Sequence, residues 1–453
     1  MKVIRFLSAI SLLVCFATNQ SQAQKSWTLE ECIRYALDNN IQIKRQELQT
    51  EYTKNNLQQS RYQMLPNLNG GASHYWNFGR NINSITNQIY TTTTMSENYG
   101  LQSSVTLFNG FQILNSIQQN RYLQEKSLQD FKRAQNDISL QIATSFLQIL
   151  FSEEALNIAQ SQLDLTVLQL EKTKRLVEVG NKAKGDLLQI QAQEASEKFN
   201  VVNTKNNLNI ANLTLIQLLE IKTLDGFKTS RPDSVSMDYS NALISVDDIY
   251  KEAEANLPQI KSAELDLKSA EKGLDISRGQ RYPKLTFSGA IGTRYSDVNK
   301  KIDSVTLRAT TFPFLTQLKN NSYQSIGFDL NVPIFNNFQV NYNISNSRIR
   351  VKDFQYNLEQ SKKALYAEIQ KAHADAIAAL ERFNSASEAV VSNEEAFKYT
   401  QQKFDVGLIN SVDFNVAKNN LTKAKSDLIQ AKYEYIFKIK VLDFYRGKPI
   451  TLK

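Results

Sequence analysis

The sequence has 453 residues, with 53 Lys and Arg against 45 Asp and Glu, and it contains only 7 Pro and 15 Gly. So few helix-breaking residues leave long uninterrupted segments, which predicts extended helices rather than several ordinary globular domains. The net charge of +8 comes from Lys and Glu interspersed along these segments, as is typical of solvated helix faces. No basic block with interleaved aromatic residues occurs, which argues against nucleic-acid binding.

The amino terminus has the pattern of an export signal. Lys2 and Arg5 precede the apolar run FLSAISLLVCFA, and the small-residue site SQA ends at Ala23. We therefore predict a signal peptide over residues 1–23. The remaining chain has no apolar run of about 18 residues, so a membrane-spanning helix is not expected. An exported protein of this kind would enter a membrane through strands.

The rest of the chain repeats one pattern. The segment TLEECIRYALDNNIQIK, from Thr28, aligns with SVDDIYKEAEANLPQIK, from Ser245. Self-similarity of this kind indicates two structural repeats, which we place at residues 24–226 and 227–453. Each repeat reads as a helix, two strands, a long helix, a turn and a further helix. The predicted fold class is therefore a mixed α and β protein.

Apolar residues recur every seven positions in the long helix of each repeat. Such heptads predict helices packed along their flanks, and a helix from about residue 112 to 179 would be on the order of 100 Å long. A row of small residues lies beside the row of large ones and favours close helix contact, although a routine coiled coil with no further purpose remains an alternative. The large row is Ile142, Ile149, Leu156, Leu163, Leu170 and Val177, repeated as Ile369, Ala376, Phe383, Val390, Phe397 and Phe404.

The strands alternate apolar residues with small or polar ones. In the third strand, for example, Leu285, Phe287 and Ile291 alternate with Thr286 and Ser288. This alternation over about ten residues is typical of transmembrane β-strands, although a soluble sandwich alternates in the same way. The predicted strands are about 67–79, 97–108, 284–296 and 322–335, with outer loops at about 80–97 and 297–321.

Four such strands are too few to close a barrel, because about eight are the smallest workable number. An open edge in lipid would leave backbone groups without hydrogen-bond partners. The chain is therefore expected to share a barrel with copies of itself. Three copies would give about twelve strands around a water-filled lumen, whereas two would give a barrel that side chains fill. We expect a membrane protein that is a homotrimer with a 12-stranded β-barrel.

Two short turns interrupt the long helical segments. VGNKAKGD at 179–186 and VGLINSVD at 406–413 both place an aspartate six residues after a glycine. Gly180 and Gly407 are expected to end helices, because glycine adopts positive φ without a Cβ penalty. Asp186 and Asp413 are expected either to cap the returning helices or to form carboxylate rings at a pore entrance. Leu408 and Ile409 are apolar at a tip that should be wet, which favours docking of another protein.

These features together resemble the TolC-like outer-membrane efflux family. The resemblance rests on the internal repeat, the P-x-L entries into strands at Pro66 and Pro283, the exits LFNGF and PIFNNF, and the two VG turns. The exits place Asn109 and Asn336 at the strand-to-helix junctions. The resemblance implies an outer-membrane barrel continued by a long α-helical coiled-coil barrel in the periplasm, docked to a periplasmic adaptor and, through it, to an inner-membrane transporter.

The resemblance also assigns roles to the tips, and the chain departs from some of them. Family members dock their adaptor around the glycines, here Gly180 and Gly407. Many carry a second aspartate after the residue that matches Asp413, but this chain has Val416 there. They also latch the entrance with a tyrosine and an arginine, where this chain has Phe404 and Ile409. The resemblance therefore carries over one carboxylate ring and no polar latch of that kind.

Nothing in the sequence favours an enzyme. Two histidines and scattered carboxylates give no nucleophile–base pairing and no metal-ligand spacing, so neither a metal nor a cofactor is expected. We expect the passive exit duct of a tripartite efflux or type I secretion system, in the outer membrane of a Gram-negative cell with a large periplasmic portion. The alternative from another class is a pore-free structural coiled-coil protein of the periplasm.

Overall fold

The structure is a computed structural model and describes residues 26–82, 87–91, 93–222, 227–230, 244–302, 304–305 and 309–451. The predicted signal peptide and parts of both predicted outer loops lie outside these residues. The helices are α1 (Leu29–Asn39), α2 (Ile41–Tyr62), α3 (Gln112–Glu178), α4 (Lys184–Leu218), α5 (Val246–Asn256), α6 (Pro258–Gly279), α7 (Phe314–Asn320), α8 (Gln339–Asp405) and α9 (Ser411–Tyr445). The strands are β1 (Ser26–Trp27), β2 (Asn67–Asn77), β3 (Arg80–Ile82), β4 (Ile89–Thr91), β5 (Thr94–Phe108), β6 (Lys228–Thr229), β7 (Lys284–Ser296), β8 (Lys300–Ile302), β9 (Ala309–Thr311) and β10 (Tyr323–Asn331).

Corresponding helices in the two halves of the chain have the same lengths. The helices α1 and α5 have 11 residues each, and α2 and α6 have 22 each. The helices α3 and α8 have 67 residues each, and α4 and α9 have 35 each. At 1.5 Å per residue the 67-residue helices are about 100 Å long. No helix in the described part of the chain is both long and apolar enough to cross a membrane.

Local sequence explains where these helices begin. Thr28 and Glu31 form a capping box at α1, in which the threonine side chain accepts a hydrogen bond from the Glu31 N–H and the glutamate accepts one from the Thr28 N–H. The α5 helix begins in a related way, because the Ser245 side chain accepts a hydrogen bond from the Asp248 N–H. Pro258 is the first residue of α6, a position where the missing N–H of proline costs nothing.

The chain divides into two compact units. The first comprises Met1–Leu48, Gln129–Lys261 and Gln360–Lys453, and the second comprises Gln49–Leu128 and Ser262–Glu359. The first unit holds an apolar core, formed by α1, the start of α2, the middle of α3, the end of α4 and the carboxyl-terminal part of α9. Its fully buried members include Leu29, Ile142, Phe146, Ile149, Leu215 and Ile436.

The second unit contains a four-stranded antiparallel sheet in the order β10-β7-β5-β2. Residues that pair across the strands share a face, because side chains alternate along each strand. One face carries large apolar side chains that the chain itself leaves exposed. They include Leu68, Trp76, Leu101, Ile291, Ile326, Phe328 and Leu330, with Ile326 78% exposed and Phe328 69% exposed.

The observed strand bounds differ most from the predicted ones at the end of β10 and at the start of β5. The strand β10 ends at Asn331, where the sequence analysis extended it to about residue 335. Pro333 lacks the N–H that a longer ladder needs. The strand β5 begins at Thr94, before the predicted start at about residue 97. The predicted outer loops also contain structure that was not expected, namely the short pairs β3–β4 and β8–β9 and the helix α7.

Candidate functional site: the two hairpin tips

Both long helices end on the same backbone motif. Gly180 has φ +80 and Gly407 has φ +76. The Gly180 N–H donates to the Val177 carbonyl at 3.0 Å, and the Asn181 N–H donates to the Leu176 carbonyl at 2.8 Å. The second tip repeats both bonds, from Gly407 to Phe404 at 3.1 Å and from Leu408 to Lys403 at 2.8 Å. This pair of bonds is the Schellman motif, whose left-handed residue favours glycine.

The returning helices begin differently, and here one expectation is wrong. Asp186 does not cap α4, because the N-cap residue is Ala183 and makes no side-chain cap hydrogen bond. Asp413 does not cap α9 either, since Asn410 is the N-cap and its Oδ1 accepts from the Asp413 N–H at 2.9 Å. Both aspartates lie in the first turn of a helix, where a carboxylate is stabilised by the helix dipole.

Side chains of the two tips contact each other within the first unit. The Ser411 hydroxyl donates to Asp186 Oδ1 at 2.9 Å. The Lys182 ammonium lies over the Phe404 ring, 4.1 Å from its centroid, which is a favourable cation–π geometry. These contacts join the first tip to the second, and the sequence analysis identified neither Ser411 nor Lys182.

A third contact joins the two long helices shortly before they end at the tips. Lys172 of α3 and Asp405 of α8 form an ion pair at 2.6 Å. The two residues are 233 positions apart. No local pattern in the sequence marks a partner at such a distance, and this explains why the pair was missed.

Phe404 has a structural role at the position where a latch tyrosine was considered. Its side chain is 4% exposed and stacks on Phe414 at 4.6 Å between ring centroids. Phe397 contacts the same Phe414 ring at 5.5 Å. The three rings form a small apolar core beneath the second tip, which holds the end of α8 against the start of α9.

The tips differ in what they expose. Leu408 is 75% exposed and Val406 is 72% exposed, whereas Ile409 is half-buried. At the first tip, Asn181 occupies the position of Leu408, and Val179 is the exposed apolar side chain. Asp413 is exposed, while Asp186 is half-buried and bonded to Ser411. The second tip therefore exposes both an apolar surface and the carboxylate of Asp413.

The strand junctions also show matching geometry in the second unit. Pro66 and Pro283 each stand immediately before a strand, β2 and β7. Asn109 lies after β5, and its Oδ1 accepts from the Ile113 N–H at 3.4 Å at the start of α3. Asn336 lies before α8, and its carbonyl accepts from the Gln339 N–H at 3.0 Å. Two left-handed residues follow each asparagine, Gly110 and Phe111 after the first and Asn337 and Phe338 after the second.

Among the described residues, no three His, Cys, Asp or Glu side chains come together in a way that could hold a metal ion.

The fold is that of outer-membrane channel subunits. The outer-membrane channel CmeC of Campylobacter jejuni has a similar structure, with a TM-score of 0.77 at 17% identity over 92% of this chain and 85% of that one. In sequence, the chain is 24% identical over 408 residues to the outer membrane protein TolC of Escherichia coli, covering 84% of this chain and 74% of the relative. The toxin and drug export protein A of Aggregatibacter actinomycetemcomitans is 20% identical over 354 residues, 76% of this chain and 71% of that protein.

The chain belongs to the outer membrane efflux protein family, whose sequence profile matches residues 32–220 and 249–440. This confirms the resemblance that the repeats and turns indicated. The protein is an outer-membrane efflux channel of a Gram-negative cell. Proteins of this kind work with an adaptor and an inner-membrane transporter, and the family comprises channels rather than enzymes. The alternative of a pore-free coiled-coil protein is not favoured.

Proposed function

We propose that three copies of this chain form a closed 12-stranded barrel in the outer membrane, which serves as the passive duct of a tripartite export system. The observation that carries the proposal is the pair of unpaired edges on the sheet of the second unit. Within the described residues, β2 and β10 each pair with only one strand. Unpaired backbone groups at a sheet edge are costly in lipid, so both edges need a partner strand.

The direction of the strands supports closure by identical copies. The order β10-β7-β5-β2 is antiparallel throughout, so β2 and β10 run in opposite directions. The β2 edge of one copy can therefore pair with the β10 edge of the next without breaking the antiparallel pattern. Repetition of this head-to-tail contact closes into a ring, and three copies supply about twelve strands, enough for an open lumen.

The two faces of the sheet support the orientation of the barrel. The face with Ile326, Phe328 and Leu330 suits lipid. The opposite face carries small and polar residues, among them Ser325, Gly327 and Asp329. Such a division is typical of a barrel whose interior holds water. We therefore assign the apolar face to lipid and the polar face to the lumen.

The exposed residues of the two tips support the part of the proposal that concerns adaptor docking and the pore entrance. Leu408 and Val406 form an exposed apolar surface at the second tip, and surfaces of this kind mark contacts with other proteins. We assign adaptor docking to Gly407, Leu408 and Ile409, with a smaller share for Gly180. We assign a ring of three Asp413 carboxylates to the pore entrance, with Asp186 behind it. In this assignment the chain has no catalytic role and needs no cofactor, and the cargo is selected by the partners.

A pair of neighbouring substitutions tests the barrel. Ile326→Lys places a charge on the apolar face in the middle of β10, and we expect it to destabilise the membrane-inserted protein by about 2–4 kcal/mol. Ser325→Lys places the same charge on the polar face and should leave insertion unchanged. Outer-membrane fractionation and conductance in planar bilayers measure both effects. Equal tolerance of the two lysines, or a wild-type protein that does not conduct, would overturn the proposal.

A further inference from the structure

A buried ion pair joins the two halves of the chain in the first unit, between the apolar core and the tips. Lys418 of α9 is 3% exposed and Glu197 of α4 is 6% exposed. The Lys418 ammonium donates to Glu197 Oε1 at 3.3 Å, to the Gln162 carbonyl at 3.1 Å and to the Thr166 hydroxyl. Gln162 and Thr166 both belong to α3. One side chain of the second half therefore contacts both helices of the first tip.

The partners of Lys418 are themselves linked. Glu197 Oε1 also accepts from Gln193 Nε2 at 2.8 Å and from Gln162 Nε2 at 3.4 Å, and Glu197 Oε2 accepts from the Thr166 hydroxyl. Thr422, one turn beyond Lys418 on α9, donates to Gln162 Oε1 at 2.6 Å. The carboxylate and the ammonium are thus satisfied by several bonds, which is the condition for burying charge.

Stability alone does not account for this arrangement. Removing two charges from water is costly, and a well-packed apolar pair is often as stable or more so. Burial lowers the pKa of Lys418 below its ordinary value, while the charge of Glu197 acts to raise it. The cost of burial is thus real even with a partner in contact. What a hydrogen-bonded pair adds is direction, because apolar helix faces can slide past each other and this set of bonds forms in one register only.

The Glu197–Lys418 pair also lies close to the proposed pore entrance, where the register of α9 would set the aperture. Lys418 lies five residues after Asp413 on the same helix, about 7.5 Å along the axis. Between the pair and the tips, the buried residues include the polar Thr173 and Ser411 as well as the apolar Ile190, Phe404 and Phe414. The ring of Phe414 joins α9 to Phe397 and Phe404 of α8, which belongs to the same half of the chain. Along this stretch, apolar packing joins α9 to α8, whereas Lys418 bonds α9 directly to α3 and α4.

We propose that Glu197 and Lys418 are positioning residues which fix the register of α9 against α3 and α4, and so give the pore entrance a single resting aperture. This inference rests on the proposed pore. Without the pair, α9 would keep its apolar contacts with α8, but it would take more than one register against α3 and α4 at the end that carries Asp413. The entrance would then have several apertures.

Single-channel recordings of the full-length protein test this inference. Lys418→Met leaves a buried carboxylate without its partner and should lower thermal stability. Glu197→Gln keeps the size of the side chain but leaves the buried ammonium without its counter-charge, so it should also lower thermal stability. The double variant Glu197→Leu with Lys418→Met replaces the pair by apolar side chains and should regain wild-type stability. We expect both Glu197→Gln and the double variant to widen the spread of open-state conductances at least about twofold, because a directional constraint is gone.

Lys425→Met is the matched control. Lys425 lies seven residues after Lys418 on α9 and pairs with Glu394 of α8 at 2.8 Å, with both side chains about half exposed. It should leave the conductance distribution unchanged. A single wild-type conductance level in both Glu197→Gln and the double variant would overturn the inference. Failure of the wild-type protein to conduct would instead count against the pore itself.

Discussion

Asp413 and Asp186 occupy equivalent positions in the two tips but have different surroundings. Asp413 is exposed, whereas Asp186 accepts a hydrogen bond from Ser411. Three copies of an exposed carboxylate around one axis favour cations. We therefore expect Asp413→Asn to reduce cation selectivity, measured as a shift of the reversal potential in a salt gradient. Asp186→Asn serves as the comparison and should shift it less. An unchanged reversal potential in Asp413→Asn would remove the carboxylate ring from the proposed entrance.

Leu408 and Asn181 form a second matched pair of residues. Each donates the longer-range hydrogen bond of its Schellman motif, so the backbone around them is the same. Only Leu408 presents an apolar side chain at this position, and it is 75% exposed. Leu408→Asp should weaken adaptor binding at least about tenfold, the effect of losing one apolar anchor, while Asn181→Asp should have little effect. Co-purification with the adaptor and titration of the purified partners measure this. A larger loss of adaptor affinity in Asn181→Asp than in Leu408→Asp would assign adaptor docking to the first tip instead of the second.

Sequence reasoning reached some residue roles and missed others for physical reasons. The glycine turns were predictable because positive φ selects glycine locally. The capping role of Asp186 was wrong because cap geometry depends on where the helix begins, and one turn of difference moves the cap to Ala183. The sequence did not indicate that Glu197 and Lys418 are buried, since charged residues scattered along helices normally face water. Their contact joins positions 221 residues apart.

At the scale of elements, α8 and α9 are joined by three ion pairs along their length. Asp375 pairs with Lys438 at 2.7 Å, Arg382 with Glu434 at 2.6 Å, and Glu394 with Lys425 at 2.8 Å. The signs alternate along α8, so a shift of one helix along the other would bring like charges together. These side chains are partly exposed, so each pair contributes roughly 0.2–1 kcal/mol and salt screens it.

This ladder predicts a salt and pH dependence for one substitution. Lys438→Met should lower the apparent melting temperature at low salt, and the difference from wild type should disappear at about 1 M salt because the pair is then screened. The hydrogen bond and charge of Lys438 hold the pKa of Asp375 below its ordinary value. Its stabilising effect is therefore present above that ordinary value and lost as the pH falls through the lowered pKa.

The control for this prediction is Lys398→Met, whose partner Glu395 lies on the same helix at 3.7 Å. We expect the difference in melting temperature between Lys398→Met and wild type to change little with salt concentration. If Lys438→Met melts like wild type at low salt, the ladder does not hold the two helices together.

The long helices were predictable from sequence because heptads repeat over many turns and nothing interrupts them. The small elements at the sheet's outer end were not. The strands β3, β4, β8 and β9 have only three residues each, and α7 has seven. Segments this short show no measurable periodicity, so they form through tertiary contacts. Gln317 of α7 illustrates this, since its amide bonds to the backbone of Ser296 and Phe312.

At the scale of the whole molecule, the chain leaves unpartnered surfaces on the elements at either edge of the second unit. The strand β10 leads into α8, and this part of α8 exposes Tyr342, Ile349 and Tyr356 at intervals of seven residues, with Ile349 65% exposed. The helix α2, which leads into the opposite edge strand β2, exposes Tyr52 and Tyr62. A row of apolar side chains seven residues apart needs a helix beside it. In the proposed ring, the α2 edge of the next copy supplies that helix.

Ile349→Glu therefore tests the assembly as a whole. The substitution would bury a carboxylate without a partner at each of the contacts between copies, which costs several kcal/mol per contact. We expect the trimer to give way to monomers when its mass is measured by light scattering in detergent. Arg348→Glu introduces the same residue one position earlier, about 100° around the helix, and should leave the trimer intact. If Ile349→Glu stays trimeric while Arg348→Glu does not, α8 contacts its neighbour through a different face. If both variants stay trimeric, the face of α8 that carries Ile349 does not hold the copies together.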